Sequence, residues 1–141
     1  MKKIIILLFT IMFLTACSKT TYNDYKFSGE SEHWEAEYFY KGTEKWGGKD
    51  GNSNEHSHEF RLKYKGSLED MSSFQKLEYS YETNNSGGDS TEEFTEPPST
   101  VTFSSSGRSK GGVKVHEDEV IKANVKWDDF EESFELHNKS K

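Results

Sequence analysis

From residue 33 onward, apolar and polar side chains alternate with a period of two, which is the pattern of half-buried β-strands. Trp34, Ala36, Tyr38 and Tyr40 share one face of the segment His33 to Lys41, with Glu35, Glu37 and Lys41 on the other. His58, Phe60, Leu62 and Tyr64 alternate with Glu59, Arg61, Lys63 and Lys65, and Leu77, Tyr79 and Tyr81 alternate with Lys76, Glu78, Ser80 and Glu82. Val101 and Phe103 mark a short strand after Pro97-Pro98, and the series Ile121, Ala123, Val125, Trp127 precedes Phe134 and Leu136. Turn-forming residues separate these runs, at Trp46 to Asn52 and at Asn84 to Asp89. Asp128-Asp129 between the last two runs predicts a terminal hairpin over 120–138. Ser104 to Gly112 reads as a mobile Ser/Gly loop, and Leu68 to Phe74 has room for one helical turn. Six or more antiparallel strands with one polar face predict two packed sheets. The expected fold is all-β, an immunoglobulin-like β-sandwich, with a small open β-barrel as the alternative.

The N-terminus follows another pattern. Met1, Lys2 and Lys3 open an apolar run from Ile4 to Leu14 broken only by Thr10, the charged and apolar regions of a secretory signal helix. A helix crossing the bilayer needs roughly 20 apolar residues, so this run predicts an exported chain and no permanent span. It ends in Leu14-Thr15-Ala16-Cys17, which resembles the lipobox of bacterial lipoproteins. The resemblance implies cleavage between Ala16 and Cys17 and acylation of the Cys17 thiol with chains such as palmitate. Two chains bury enough methylenes, at about 0.8 kcal/mol each, for stable anchoring. The expected organisation is a signal peptide over 1–16, a lipidated N-terminus and polar tether over 17–24, and one β-domain over 25–141.

Composition modifies this picture in two ways. Only 31% of residues are hydrophobic, which admits disorder, but three Trp, seven Tyr and ten Phe set in regular alternation predict an aromatic core. The net charge is −7, and removing the signal with its two lysines makes it −9. An acidic domain disfavours nucleic acid as a partner, and anionic lipid would repel it over about 8 Å at physiological ionic strength. Cys17 is the only cysteine, so no internal disulfide competes for it.

Candidate chemistry is sparse. Asp50-Gly51-Asn52-Ser53-Asn54 starts like a calcium loop, but Glu55 stands where the sharp turn needs Gly and Arg61 where a bidentate Glu is needed. His56 and His58 share a strand face, and with His33 they are weak candidates for a metal site built from imidazoles. Carboxylates cluster at Glu117 to Glu119 and at Asp128, Asp129, Glu131 and Glu132, where exposed turns of an acidic protein carry them. Phe39 and Phe130 fall on otherwise polar faces and form a candidate interaction surface. No nucleophile motif or cofactor signature stands out, so the expectation is a protein that is not an enzyme and carries no cofactor.

Phe27-Ser28-Gly29-Glu30-Ser31-Glu32-His33-Trp34, the Trp127-Asp128 hairpin and Glu132-x-Phe134-x-Leu136, taken with the lipobox and the polar tether, resemble the small lipoproteins of Gram-positive bacilli. Such proteins typically place Gly after the Trp-Asp pair, where this chain has Asp129. The resemblance implies a β-rich domain on the extracytoplasmic face of the cell membrane. The expected role is a lipid-anchored binding or interaction module with an envelope protein partner. Capture of a solute or metal, or action on envelope polymers as a small enzyme or inhibitor, is the alternative.

Overall fold

A computed structural model describes residues 19–48, 51–112 and 114–140. The signal segment, Ala16 and Cys17 lie outside the described residues, as does Asp50 of the calcium-like loop. The strands are β1 (Lys19–Glu30), β2 (Trp34–Trp46), β3 (Ser53–Tyr64), β4 (Lys76–Glu82), β5 (Gly87–Glu93), β6 (Thr102–Lys110), β7 (Ile121–Trp127) and β8 (Phe130–Asn138). The expected helical turn is a single 3₁₀ turn at Glu69–Met71, which buries Met71.

All pairings are antiparallel, in the order β5-β4-β7-β8-β1-β2-β3-β6, and the sheet curls until it is nearly closed into a barrel. The predicted alternation explains this directly. Residues of the buried face point into one core, where Phe60 meets Tyr79 and Tyr81 at ring distances of 5.9 and 5.1 Å, and Tyr38 meets Tyr81 at 5.2 Å. At the open seam, Phe94 just beyond β5 reaches Phe103 of β6 at 6.1 Å. The terminal hairpin forms as expected, with Asp128 at φ 50° and its carboxylate accepting from the N–H groups of Gln75 and Lys76.

Three expectations change. Lys19–Asp24, expected as a polar tether, forms the first half of β1 and pairs with Lys41–Trp46 of β2. Its side chains lack an apolar period because this half runs beyond the main core, where pairing rests on backbone hydrogen bonds. Ser104–Lys110, expected as a loop, belongs to β6 and pairs along β3. Gly87–Glu93, partly assigned to a turn, forms β5 against β4. These last two are the edge strands, where one neighbour suffices and small or polar residues are ordinary.

The four strands β1, β2, β3 and β6 extend past the core at one end by about six residues, roughly 20 Å at 3.3 Å per residue. The opposite, distal end is where Ser31–His33 turns between β1 and β2.

Candidate functional site

The distal end is built around a hairpin turn. Ser31 N–H donates to the Trp34 carbonyl at 2.7 Å, leaving Glu32 and His33 at the tip. Glu132, on the core-facing row of β8, reaches under this turn. Its Oε1 accepts from the Ser31 hydroxyl (2.5 Å) and the His33 N–H (3.0 Å), and its Oε2 accepts from His33 Nδ1 at 2.5 Å. Partial burial alone would push the Glu132 carboxyl up, but the Ser31 and His33 hydrogen bonds outweigh it and hold the group below the ordinary carboxylate value. Glu32 completes a cluster in which one ligand-type atom from each of Glu32, His33 and Glu132 lies within 4.8 Å of the others. The His33 ring sits 5.6 Å from Trp127, which stacks on the exposed Phe130 at 5.4 Å.

The extended end differs. Glu44 is buried and pairs with Lys114, and both line a hollow of about 250 Å³ with Trp46, Asn52 and Asn54. Deeper along the sheet lie two histidine–tyrosine pairs. The Tyr40 hydroxyl bonds His56 Nδ1, and the His56 Nε2 is buried with no partner among the described residues. The Tyr81 hydroxyl hydrogen-bonds His58 Nε2 at 2.7 Å, while Tyr38 stacks on the His58 ring at 5.8 Å. Burial pushes His58 down and the Tyr81 hydroxyl up, so the neutral forms of both groups are favoured.

This pairing has a measurable consequence. Below pH 6.5 the unfolded chain takes up a proton at His58 that the folded chain resists, so the stability is complete above that pH and falls as pH drops towards the depressed folded value. His58→Gln should flatten the loss of melting temperature between about pH 7 and 5, measured by circular dichroism. An unchanged slope would remove His58 from this role. Glu132, lowered from 4.5, acts only in the more acidic range.

The structure separates His33 from the other two expected metal-candidate histidines. Tyr40 pairs with His58 and Trp34 with Tyr64, so His33 stands more than six strand residues, about 20 Å, from His58. His56 and His58 do share the inner face, each capped by a tyrosine. Phe39 and Phe130 also occupy separate places. Phe39 lies on the outer face with Lys26 at 5.8 Å and Arg61 at 4.9 Å over its ring, whereas Phe130 is exposed at the β7–β8 turn. Glu117–Glu119 is a structural turn in which buried Glu119 accepts from the His116 and Asn84 N–H groups.

No family model matches this chain, and no curated protein or solved structure matches it either. The grouping therefore rests on geometry. His33 stands with Glu32 and Glu132 and apart from His56 and His58, and Glu132 lies under the turn and not on an exposed one. One signal in the sequence points the same way: Glu132 keeps the alternation of Phe134 and Leu136, which puts a carboxylate on a core-facing row.

Proposed function

We propose that this protein is a lipid-anchored binding module on the extracytoplasmic face of a bacterial cell membrane, with its distal end presented outward. The observation that carries this reading is the position of Cys17, two residues before β1 begins at the extended end. Acylation there would bring that end to within about 7 Å of the lipid, given the reach of two extended residues.

The composition of the extended end supports the same orientation. Lys19, Lys41, Lys45 and Arg108 project there without an ion pair among the described residues, while Lys110 and Lys114 are matched by Glu55 and Glu44. Trp46 and Tyr22 are exposed beside them, and amphipathic aromatics of this kind favour the membrane–water interface. Basic residues near an anionic leaflet gain about 1 kcal/mol each. The acids Glu30, Glu32, Asp128, Asp129, Glu131 and Glu132 gather at the distal end. That end stands beyond the roughly 8 Å over which charge acts at physiological salt. Net repulsion by the bilayer, expected from total charge, is thereby replaced by local attraction. We read the sheet as a small open barrel in preference to an immunoglobulin-like sandwich, because its strand order is continuous through β8 and β1.

The test is direct. The full chain should incorporate labelled palmitate and partition into detergent, and Cys17→Ala should do neither. Unlabelled wild-type protein, or a Cys17→Ala variant that still partitions, would overturn the anchor. An alternative role, capture of a metal or small solute, draws support from the Glu32, His33 and Glu132 cluster.

A further inference from the structure

We infer that the distal turn is a binding site for one divalent transition-metal ion, best matched by Zn²⁺, with Glu32, His33 and Glu132 as its protein ligands. The inference gives a chemical identity to the capture alternative and does not depend on the lipid anchor.

The donor set selects the ion. One imidazole nitrogen with two carboxylate oxygens suits zinc and its first-row neighbours, whereas calcium and magnesium are held by oxygen alone. Three protein ligands on a four-coordinate zinc leave one position for water or a captured group. The geometry is close to assembled. The three donor atoms already lie within 4.8 Å of one another. Ligands on a tetrahedral zinc, at about 2.0–2.1 Å from the ion, stand roughly 3.3 Å apart. His33 Nδ1 and Glu132 Oε2 are in hydrogen-bond contact at 2.5 Å, so the cation would take the place of the proton between them. The proton leaves to solvent, the two atoms part by less than 1 Å, and Glu32 swings in as the third ligand.

The supports of a preorganised site are also present. Glu132 Oε1 is held by Ser31 and the His33 N–H, so that Oε2, in contact with His33 Nδ1, is the oxygen that would face the ion. Outer hydrogen bonds of this kind orient ligating carboxylates. Trp127 packs beside the His33 ring. The nearby cation Lys65 is occupied by the Ser31 carbonyl at 3.0 Å and by Glu30 at 3.4 Å. Glu32 is exposed and makes no hydrogen bond or ion pair among the described residues, so its carboxylate is available at no structural cost.

That last fact gives the decisive variant. The full chain in detergent micelles, stripped with chelator, would be titrated with Zn²⁺ by calorimetry and followed by melting temperature, with Ca²⁺ as comparator. Wild type should bind one Zn²⁺ per chain and melt at a higher temperature with it, and Ca²⁺ should do neither. Glu32→Gln should weaken Zn²⁺ binding by at least about tenfold while leaving the metal-free melting temperature unchanged. Glu132→Gln should abolish binding and also lower the metal-free melting temperature. Absence of a zinc-dependent transition in wild type would overturn the site, as would undiminished zinc affinity in Glu32→Gln.

Discussion

Trp34→Ala should lower the unfolding free energy by about 3–5 kcal/mol, the range for removing a large buried aromatic. Trp34 is fully buried, and its ring lies 5.1 Å from Tyr64, 5.6 Å from Trp127 and 6.4 Å from Phe74. It is therefore the point at which β2, β3, β7 and the segment after the 3₁₀ turn meet. Domains of this size are stable by only about 5–15 kcal/mol, so this one truncation removes a large share. A companion variant separates packing from polarity. The indole Nε1 is buried with no partner among the described residues, so Trp34→Phe gives up ring volume but also relieves an unsatisfied donor worth about 1–3 kcal/mol. Urea denaturation should place Trp34→Phe well above Trp34→Ala. Equal midpoints would mean that the ring contacts do not carry the stability assigned to them.

Gly29→Ala should cost about 3 kcal/mol, near the top of the range for overpacking, although it adds a single methyl group. A Cβ on Gly29 would stand 2.0 Å from the Glu135 carbonyl oxygen and 2.9 Å from its carbon. Both are backbone atoms, so neither can rotate aside. The contact lies where the two halves of the sheet join, a short junction in which Phe27 pairs with Asn138 and Ser28 with His137, and the Lys139 N–H donates to the Lys26 carbonyl at 2.8 Å. Separating β1 from β8 there would open the curled sheet and disturb the reach of Glu132 under the distal turn. Gly51→Ala makes a useful contrast. Nothing lies within 4 Å of its added carbon, and only its φ of 76° resists substitution, at roughly 1–2 kcal/mol. Thermal melts of the two variants should differ clearly, with amide exchange in β1 and β8 accelerated only in Gly29→Ala. A Gly29→Ala protein that melts with wild type would show that the seam yields freely.

The surface ion pairs add little to this account. Lys26–Glu37 at 2.9 Å and Arg61–Glu59 at 3.0 Å are both well exposed, and such pairs typically contribute less than about 1 kcal/mol. Their effect is on arrangement, since Lys26 and Arg61 also flank the Phe39 ring and cover part of it. Phe39 is half-buried for that reason, and only Phe130 of the expected aromatic pair stands open to solvent.

Alternation of side chains is a local property of extended backbone, and it is readable from a few consecutive residues. The inward rows of β2, β3, β4 and β7, the final hairpin and the single helical turn are therefore legible without coordinates. Two kinds of strand escape that reading. Lys19–Asp24 and Ser104–Lys110 have no apolar row because they pair outside the main core or at a sheet edge, and the neighbour that makes them strands lies far away in the chain. Strand order, the near-closure of the sheet and the charge difference between its ends depend on which amphipathic strands choose one another, a non-local competition. The cluster at the distal turn is the clearest case. His33 and Glu132 are 99 positions apart, and only the register that seats β8 beside β1 brings a turn imidazole onto an inward carboxylate.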